Sequence, residues 1–445
     1  MTAYTSEQMS DTYAKYIGNE VALSSAWTIV DAITKRYRDN GYFLCRAYVP
    51  MQNIKNGKLI IKVVEGYIAK VEMPEQARKH SVVQSYINKL MLNKPTKIED
   101  VEGFLLRLND LPGYSFRAVI SSIKDEEGQV LLTLTQTDKK GRGAINIDNF
   151  SSRYVGSTET MASYSTSLLS LQQTTISVVS GLPIGRLTYG ALSHAIVIAP
   201  DTTLNLNISA TKTYPGYALK HLDLNSFASS SSVGLQYQLI RQRQENLSAE
   251  IKLTSTDVSS DVLGVALARD HVRALRAGFS YDLSDRWGGG NIVDFALSRG
   301  IYGLGANSSD NKYSSRAGAS PNFTKADLSI SRLQTINENW LLFAVSNGQI
   351  ASGTLYSSEQ CGYGGQSIGR AYDLSEITGD QGASAELEVR YTGLKTHEAV
   401  TVQPYGFYDI GKAWNFADSQ ESNQSGASAG FGMRFSTKWF ESGNI

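Results

Sequence analysis

Cysteine is nearly absent from this chain. Only Cys45 and Cys361 occur in 445 residues, and they fall in different predicted domains, which argues against a disulfide framework while leaving a single bond open. An excess of either charge is missing too. Lysine plus arginine and aspartate plus glutamate number 42 each, so the chain lacks the basic surplus that wraps nucleic acid, and no nucleic-acid partner is expected. The five histidines, His80, His194, His221, His271 and His397, are scattered without ligand spacing, which predicts no metal site. No stretch approaches the ~20 apolar residues of a membrane-spanning helix.

Short runs of alternating polarity occupy the sequence from about Arg142 onward. Thr203-Leu204-Asn205-Leu206-Asn207-Ile208-Ser209-Ala210-Thr211 is the cleanest. Because strand side chains alternate faces, such a run has one apolar and one polar face, and many in succession predict an antiparallel sheet closed between lipid and water. With 24 Tyr, 39 Gly and long Ser/Asn/Thr tracts, the composition suits aromatic girdles, turns and a polar lumen. Near-alternating strands are predicted at Ala249 to Ser255, Arg276 to Tyr281, Ala326 to Leu333, Leu341 to Ser346, Ala383 to Tyr391 and Gly430 to Phe435. At ~20 residues per strand and turn, the last ~300 residues hold roughly fourteen strands. Such a barrel requires a signal peptide, yet Met1-Thr2-Ala3-Tyr4 opens without a basic segment or apolar core, so the chain is expected to be trimmed or to start late.

Two small α+β units precede the barrel. In the first (1–73), Ser24 or Ser25 caps a helix with Trp27, Val30, Ile33 and Tyr37 on its apolar face until Gly41, followed by strands Tyr42 to Val49, Leu59 to Val64 across the Asn56-Gly57 turn, and Ile68 to Met73. In the second (74–140), helices Val82 to Leu92 and Ile98 to Leu108 are broken by Leu111-Pro112-Gly113, and strands Tyr114 to Ile120 and Val130 to Gln136 flank a charged turn. Neither brings an acid, a base and a nucleophile together.

Particular motifs then carry a resemblance. Ile33 to Tyr42, Ala47 with Val49-Pro50-Met51-Gln52, Asn56-Gly57 and Val63-Val64-Glu65-Gly66-Tyr67-Ile68 closely resemble the first POTRA domain of TpsB transporters, the outer-membrane components of two-partner secretion. Leu105 to Asp110 with Leu111-Pro112-Gly113-Tyr114 is similar to their second POTRA. The resemblance implies two periplasmic POTRA domains, a transmembrane β-barrel (141–445) of sixteen strands, and a lid loop folding inward at about 352–382. Since the chain stops at Glu441-Ser442-Gly443-Asn444-Ile445, where the family ends on a strand with a terminal aromatic, the first POTRA's N-terminal strand and the last two barrel strands are expected to be absent.

The lid tip of this family carries Val-Arg-Gly-Phe/Tyr. Here the tip reads Gly369-Arg370-Ala371-Tyr372, and the loss of glycine at 371 makes the backbone less permissive there. The partner motif Phe-x-Asp-x-Gly is matched by Phe407, Asp409 and Gly411. Counting by twos from Val400 and Val402 puts Tyr408 toward lipid and Phe407, Asp409 and Gly411 toward the lumen, where Arg370 is expected to fork onto the Asp409 carboxylate. Cargo-binding positions implied in the POTRA domains are Trp27, Tyr37, Gly41, Tyr42, Glu65, Gly66, Pro112 and Gly113.

Other signals are set aside. Ser121-Ser122-Ile123-Lys124 has no companion motif. Gly288-Gly289-Gly290 lacks the Lys-Ser/Thr of a phosphate loop and reads as a turn, while Trp340, Trp414 and Trp439 suit an interfacial girdle. The expected protein is therefore no enzyme and uses no cofactor. It exports a TpsA-type exoprotein, with outer-membrane lipid and the insertion machinery as its other partners. A BamA- or TamA-like insertase and a passive porin are the alternatives; two POTRA units and the Tyr-x-x-x-Gly-Tyr start of the first sheet favour the exporter over the insertase, and a porin has no reason to keep Arg370 and Asp409 together.

Overall fold

The structure is a computed structural model that describes residues 2–20, 22–54, 57–139, 141–397, 400–416, 423–437 and 441–444. Asn56 of the expected turn and Trp439 of the expected girdle lie outside the described residues. The chain divides into two compact units near residue 139.

In the first unit, helix α1 (Ser25–Asp39) buries Ala26, Ile29, Val30, Ile33 and Tyr37. That stripe runs one position away from Trp27, which is 61% exposed, so Trp27 is not part of the packed face. Ser24 makes no side-chain capping bond because its backbone is already helical. At the other end Gly41, with φ +86°, turns the chain back on itself. Tyr42 is thereby drawn into an edge-to-face group with Tyr4 and Tyr37, at ring separations of 6.1 and 5.9 Å, so the expected strand from Tyr42 shortens to β1 (Arg46–Tyr48). It pairs antiparallel with β2 (Lys62–Val64). Met9 of the N-terminal segment, 1% exposed, fills the same core, with Ala3, Tyr4, Tyr13 and Tyr16 packed around it. Alternation could not reveal this segment, because two short 3₁₀ turns carry it.

Strand β3 (Tyr67–Glu72), assigned above to the first POTRA, belongs to the second sheet. It runs parallel to β5 (Gln129–Asp138), which pairs antiparallel with β4 (Tyr114–Ser122). Helices α2 (Glu75–Arg78), α3 (Ser81–Leu92) and α4 (Ile98–Asp110) complete this half. Val83, Leu90 and Leu108 of the helices and Ile68, Leu132 and Leu134 of the sheet are all buried in this half. Burial of Ile68 and Val71 decides the placement, since a strand joins the sheet that covers its apolar face.

The second unit is a sixteen-stranded sheet. Its strands are β6 (Arg142–Asp148), β7 (Thr158–Thr166), β8 (Gln172–Leu182), β9 (Leu187–Ala199), β10 (Thr202–Thr213), β11 (Asn225–Arg241), β12 (Glu245–Val262), β13 (Val265–Ser284), β14 (Gly289–Gly300), β15 (Thr324–Asn337), β16 (Trp340–Ala351), β19 (Gln381–Tyr391), β20 (Lys395–His397), β21 (Val400–Trp414), β22 (Asn423–Thr437) and β23 (Glu441–Asn444). Hairpin β17 (Cys361–Tyr363) with β18 (Ile377–Gly379) stands apart from it. The fourteen long strands run in sequence order, each paired with its neighbour.

Alternation is plain along β21, where Tyr408 and Ile410 are about half exposed while Asp409 is fully buried. Ile251, Leu275, Phe279, Leu328, Ile330 and Leu387 share the exposed face, and Phe279 stacks across the strand pair on Phe295 at 5.6 Å. No helix among the described residues is long and apolar enough to cross a membrane. The edge from which β6 starts has tight turns such as 242–244 and 338–339. The opposite edge carries long loops at 214–224, 301–323 and 352–380, which is the asymmetry of an outer-membrane barrel with short periplasmic turns. Gly288-Gly289-Gly290 is a turn-and-strand start, with Asp285 accepting the Gly289 and Trp287 amides. Trp340 packs on Tyr391 at 4.9 Å at the short-turn edge.

Candidate functional site

The segment between β16 and β19 forms the β17–β18 hairpin, whose tip lies against the inner face of the wall. Tyr363, Ile368 and Ile377 of this lid pack with Ala413 of β21. Closeness here depends on missing side chains. A Cβ on Gly411 would collide with the Tyr363 ring, and one on Gly426 would sit 2.8 Å from Tyr363 and from Tyr372. Gly411 therefore serves in the motif by leaving room. At the tip Gly369 has φ +85°, and a Cβ there would lie 2.9 Å from the Gly364 nitrogen. The left-handed residue of this turn is at 369, while Ala371 has no positive φ. The departures from the family pattern at 369 and 371 thus amount to one glycine placed where this tip turns.

The expected fork of Arg370 onto Asp409 is not what the structure contains. Asp409 Oδ2 accepts the backbone N–H groups of Gly369 at 3.0 Å and Arg370 at 3.1 Å, and the Ser428 hydroxyl at 3.1 Å. The guanidinium of Arg370 points to the neighbouring strand instead. It donates to Glu388 at 2.7 Å and to Glu386, and lies over the Phe407 ring at 4.2 Å. The cause is register. Glu386 is the cross-strand partner of Asp409 and Glu388 that of Phe407, so once the tip amides dock on Asp409 the arginine reaches one strand further.

Glu388 is shared, for Arg390 donates to it at 2.6 Å and Arg434 at 2.7 Å as well. Three arginines thus converge on Glu388, Arg370 alone of them also reaching Glu386, and Glu386, Glu388 and Asp409 are all under 5% exposed. Arg434 also stacks on Tyr405 and Arg390 on Phe343, at 4.2 and 4.7 Å. Buried charges at this depth require such partnering.

Further ion pairs hold the neck of the lid. Arg316, in the 301–323 loop, donates to the Leu355 carbonyl at 2.8 Å and to the fully buried Asp380. Glu359 is gripped by Arg276 at 2.5 Å and Lys325 at 3.1 Å. Asp373 on the tip side accepts Arg153 of the 149–157 loop at 2.5 Å.

The missed residues had a signal. Glu386, Glu388 and Arg390 sit at i, i+2 and i+4, three charges on one face of a spanning strand, and such charges need partners. Arg316 and Asp380 offered nothing comparable, being loop charges in a sequence full of them.

The POTRA positions behave differently from the lid. Tyr37 is fully buried and donates to Glu65 at 2.8 Å. Glu65 also takes the Thr2 amide and hydroxyl at 2.6 Å and the Ala3 amide at 3.0 Å. Burial alone would raise the Glu65 carboxyl, but these hydrogen bonds outweigh it and hold the pKa below its ordinary value. Burial followed by the Glu65 bond raises that of Tyr37. Gly66 lies against the Leu44 carbonyl, Pro112 is buried, and Gly41 and Gly113 have positive φ at chain reversals. Tyr37, Glu65, Gly66 and Pro112 are thus committed to the domain's own packing, and Trp27 is the exposed apolar side chain of the set. Cys45 and Cys361 are both free.

These features have counterparts in known proteins. Residues 201–435, more than half of the chain, match the sequence model of the haemolysin secretion/activation proteins ShlB/FhaC/HecB, and residues 1–66 match the ShlB-type POTRA domain. The heme/hemopexin transporter protein HuxB of Haemophilus influenzae (strain 86-028NP) is 22% identical over 94% of this chain and 75% of its own length. The outer membrane transporter CdiB of Escherichia coli is 24% identical over 98% of this chain and 74% of its own. A solved structure of CdiB from Escherichia coli superposes with a TM-score of 0.75 at 19% identity, covering 98% of this chain and 82% of that one. With the family sequence model spanning most of the barrel strands and a ShlB-type POTRA ahead of them, the chain belongs to the ShlB/FhaC/HecB family of haemolysin secretion/activation proteins.

Proposed function

We propose that the inward lid is the gate of an export pore, opened when a secreted exoprotein engages the POTRA domains. The chain is an outer-membrane transporter of two-partner secretion with its POTRA domains in the periplasm, and the lid is what the proposal adds. The observation that carries it is the way the tip is held. Main-chain bonds to Asp409 and a shared ion cluster on Glu388 seat the lid firmly, yet every one of these bonds can be exchanged for water or a passing peptide.

Transport in this reading involves no catalytic step and no cofactor. The cargo's own folding outside the cell supplies the direction, lipid surrounds the exposed apolar face, and the cellular insertion machinery assembles the barrel. The cargo's N-terminal segment is read by the POTRA domains, through exposed backbone at a sheet edge and with Trp27 as the accessible apolar contact.

The test is export in cells carrying this chain and a cognate exoprotein, with a disulfide introduced to tie the lid to the wall (Ile368→Cys with Ala413→Cys). Export should stop under oxidation and resume on reduction. Undiminished export with the lid tied down would refute the gate. Assembly of foreign barrel proteins without exoprotein release would favour the insertase.

A further inference from the structure

The inner face of the barrel is divided by charge. Along β12 to β22 it carries many ionised groups, such as Glu250 with Lys252 at 2.8 Å, Arg276 and Lys325. Along β8 to β11 it carries none. Lys212 shares a face with Leu206 and Ile208, which are exposed outward, Arg241 with Tyr237 and Leu239, and His194 with Leu192. What remains on the inner face there is uncharged and mostly hydroxyl, amide or small, as in Thr175, Ser177, Asn205, Asn207, Ser232 and Gln236, with Val179, Leu187, Tyr189, Val197 and Ile240 as the larger or apolar exceptions. These side chains bond one another across strands, Asn207 to Ser232 at 3.2 Å and Asn205 to Gln236 at 3.4 Å.

The lid lies on the charged side, where its partners are. A cavity of about 580 Å³ separates Cys361 and Tyr363 of the lid from Gln236, Glu250 and Asp327 of the wall.

We propose that the exported polypeptide travels in extended form along the inner face of β8 to β11, the neutral wall, while β12 to β22 serve as the seat of the lid. This rests on the export reading above and names the path within it. An unfolded chain presents backbone donors and acceptors at every residue and side chains of both charges. Hydroxyl and amide groups can donate and accept alike, so they exchange with any sequence. Fixed charges in a partly desolvated pore hold oppositely charged residues and repel like ones, which stalls a mixed sequence. The charged wall is also occupied by its own pairs. A chain pressed against it would have to break them.

The experiment uses the full chain with Cys361→Ser in cells making the exoprotein, with the cargo stalled in transit by a fast-folding domain and carrying one cysteine in its translocating stretch. Single cysteines are introduced at Asn207 or Ser232 on the neutral wall, or at Ser329 or Asn347 on the charged one. Oxidation should join stalled cargo to the first pair about tenfold more than to the second, and Asn207→Asp should lower export about tenfold while Ser329→Asp lowers it less than about twofold. Equal or stronger joining at Ser329 and Asn347, or equal harm from the two aspartates, overturns the path while leaving export intact. If the unaltered chain releases no exoprotein at all, the export reading itself fails and takes the path with it.

Discussion

Removing Arg370 should unseat the lid, and the geometry sets how far. Arg370→Ala deletes charge-assisted bonds to Glu386 and Glu388, each worth about 1.5–3 kcal/mol, together with stacking on Phe407 worth about 0.5–2 kcal/mol. Glu388 keeps Arg390 and Arg434, so part of the loss is absorbed. A net loosening of about 3 kcal/mol is expected, which raises the open fraction about a hundredfold.

Glu388→Ala removes only one of the two lid-to-wall ion pairs of Arg370, since Arg390 and Arg434 are themselves on the wall, and should loosen the lid by less, about 2 kcal/mol. The decisive measurement is coupling. Arg370→Ala with Glu388→Ala should fall short of the sum by about 2 kcal/mol, since both sever one contact, whereas Arg370→Ala with Asp409→Ala should be additive within about 0.5 kcal/mol, since Asp409 holds main-chain amides that any residue at 370 retains. The chain supplies its own reporter. Cys361 lies in the lid hairpin, and the other thiol, Cys45, is 2% exposed with burial pushing its pKa up to about 11. Maleimide labelling of Cys361 in detergent or vesicles then follows the open population. Labelling of Arg370→Ala at the native rate, or strong coupling of Arg370 to Asp409 with none to Glu388, would refute the arrangement.

Two further outcomes follow from packing and protonation. Gly411→Ala should drive Tyr363 off the wall, an overpacking of about 1–3 kcal/mol, and speed Cys361 labelling without altering the heat-dependent gel migration of the barrel; Gly406→Ala on the same strand, where the nearest atom would be 3.8 Å away, should change neither. Because the Glu65 pKa is lowered on folding, its stabilising effect is complete above the ordinary value of about 4.3 and is lost as pH falls through the lower folded value, so the protection of peptide 2–16 against hydrogen exchange, relative to the unfolded chain at the same pH, should fall below about pH 4 in the native chain. Glu65→Gln should weaken that segment by about 1–2 kcal/mol at pH 7 and flatten the acid response, and an unchanged acid response in the variant would remove Glu65 from the account.

Much of this was legible in the residues because period-two alternation survives over stretches of most long strands, such as β10 and β21. Tyr408 out and Asp409 in follow from counting alone. The lid motif and its wall motif were also readable, but which atoms meet was not. Register decides whether a guanidinium or a peptide N–H reaches a carboxylate, and alternation fixes the face of a side chain but not which residue of the next strand lies opposite it. The POTRA positions misled for another reason. Tyr37 and Glu65 stand out in sequence, yet a tyrosine buried against a carboxylate looks the same in one dimension whether its partner is internal or foreign. Strand β3 was assigned to the wrong half because a short strand after Gly66 fits either sheet until one knows which helices cover Ile68.

That Asp409 grips peptide nitrogens rather than a side chain bears on what mutation can reach. A letter change at 370 or 371 leaves both amides in place, so the latch can be retuned at its tip without being dismantled, its grip set by the arginine and its seat preserved by the main chain. The wall has no such freedom. Only asparagine offers an acceptor at the depth of Asp409, and it does so without the charge, while Gly411 has no substitute that leaves the same space. Random substitution should therefore yield graded openers from the loop and outright failures from the strand, an asymmetry that makes the tip the place to engineer a transporter with an adjustable threshold.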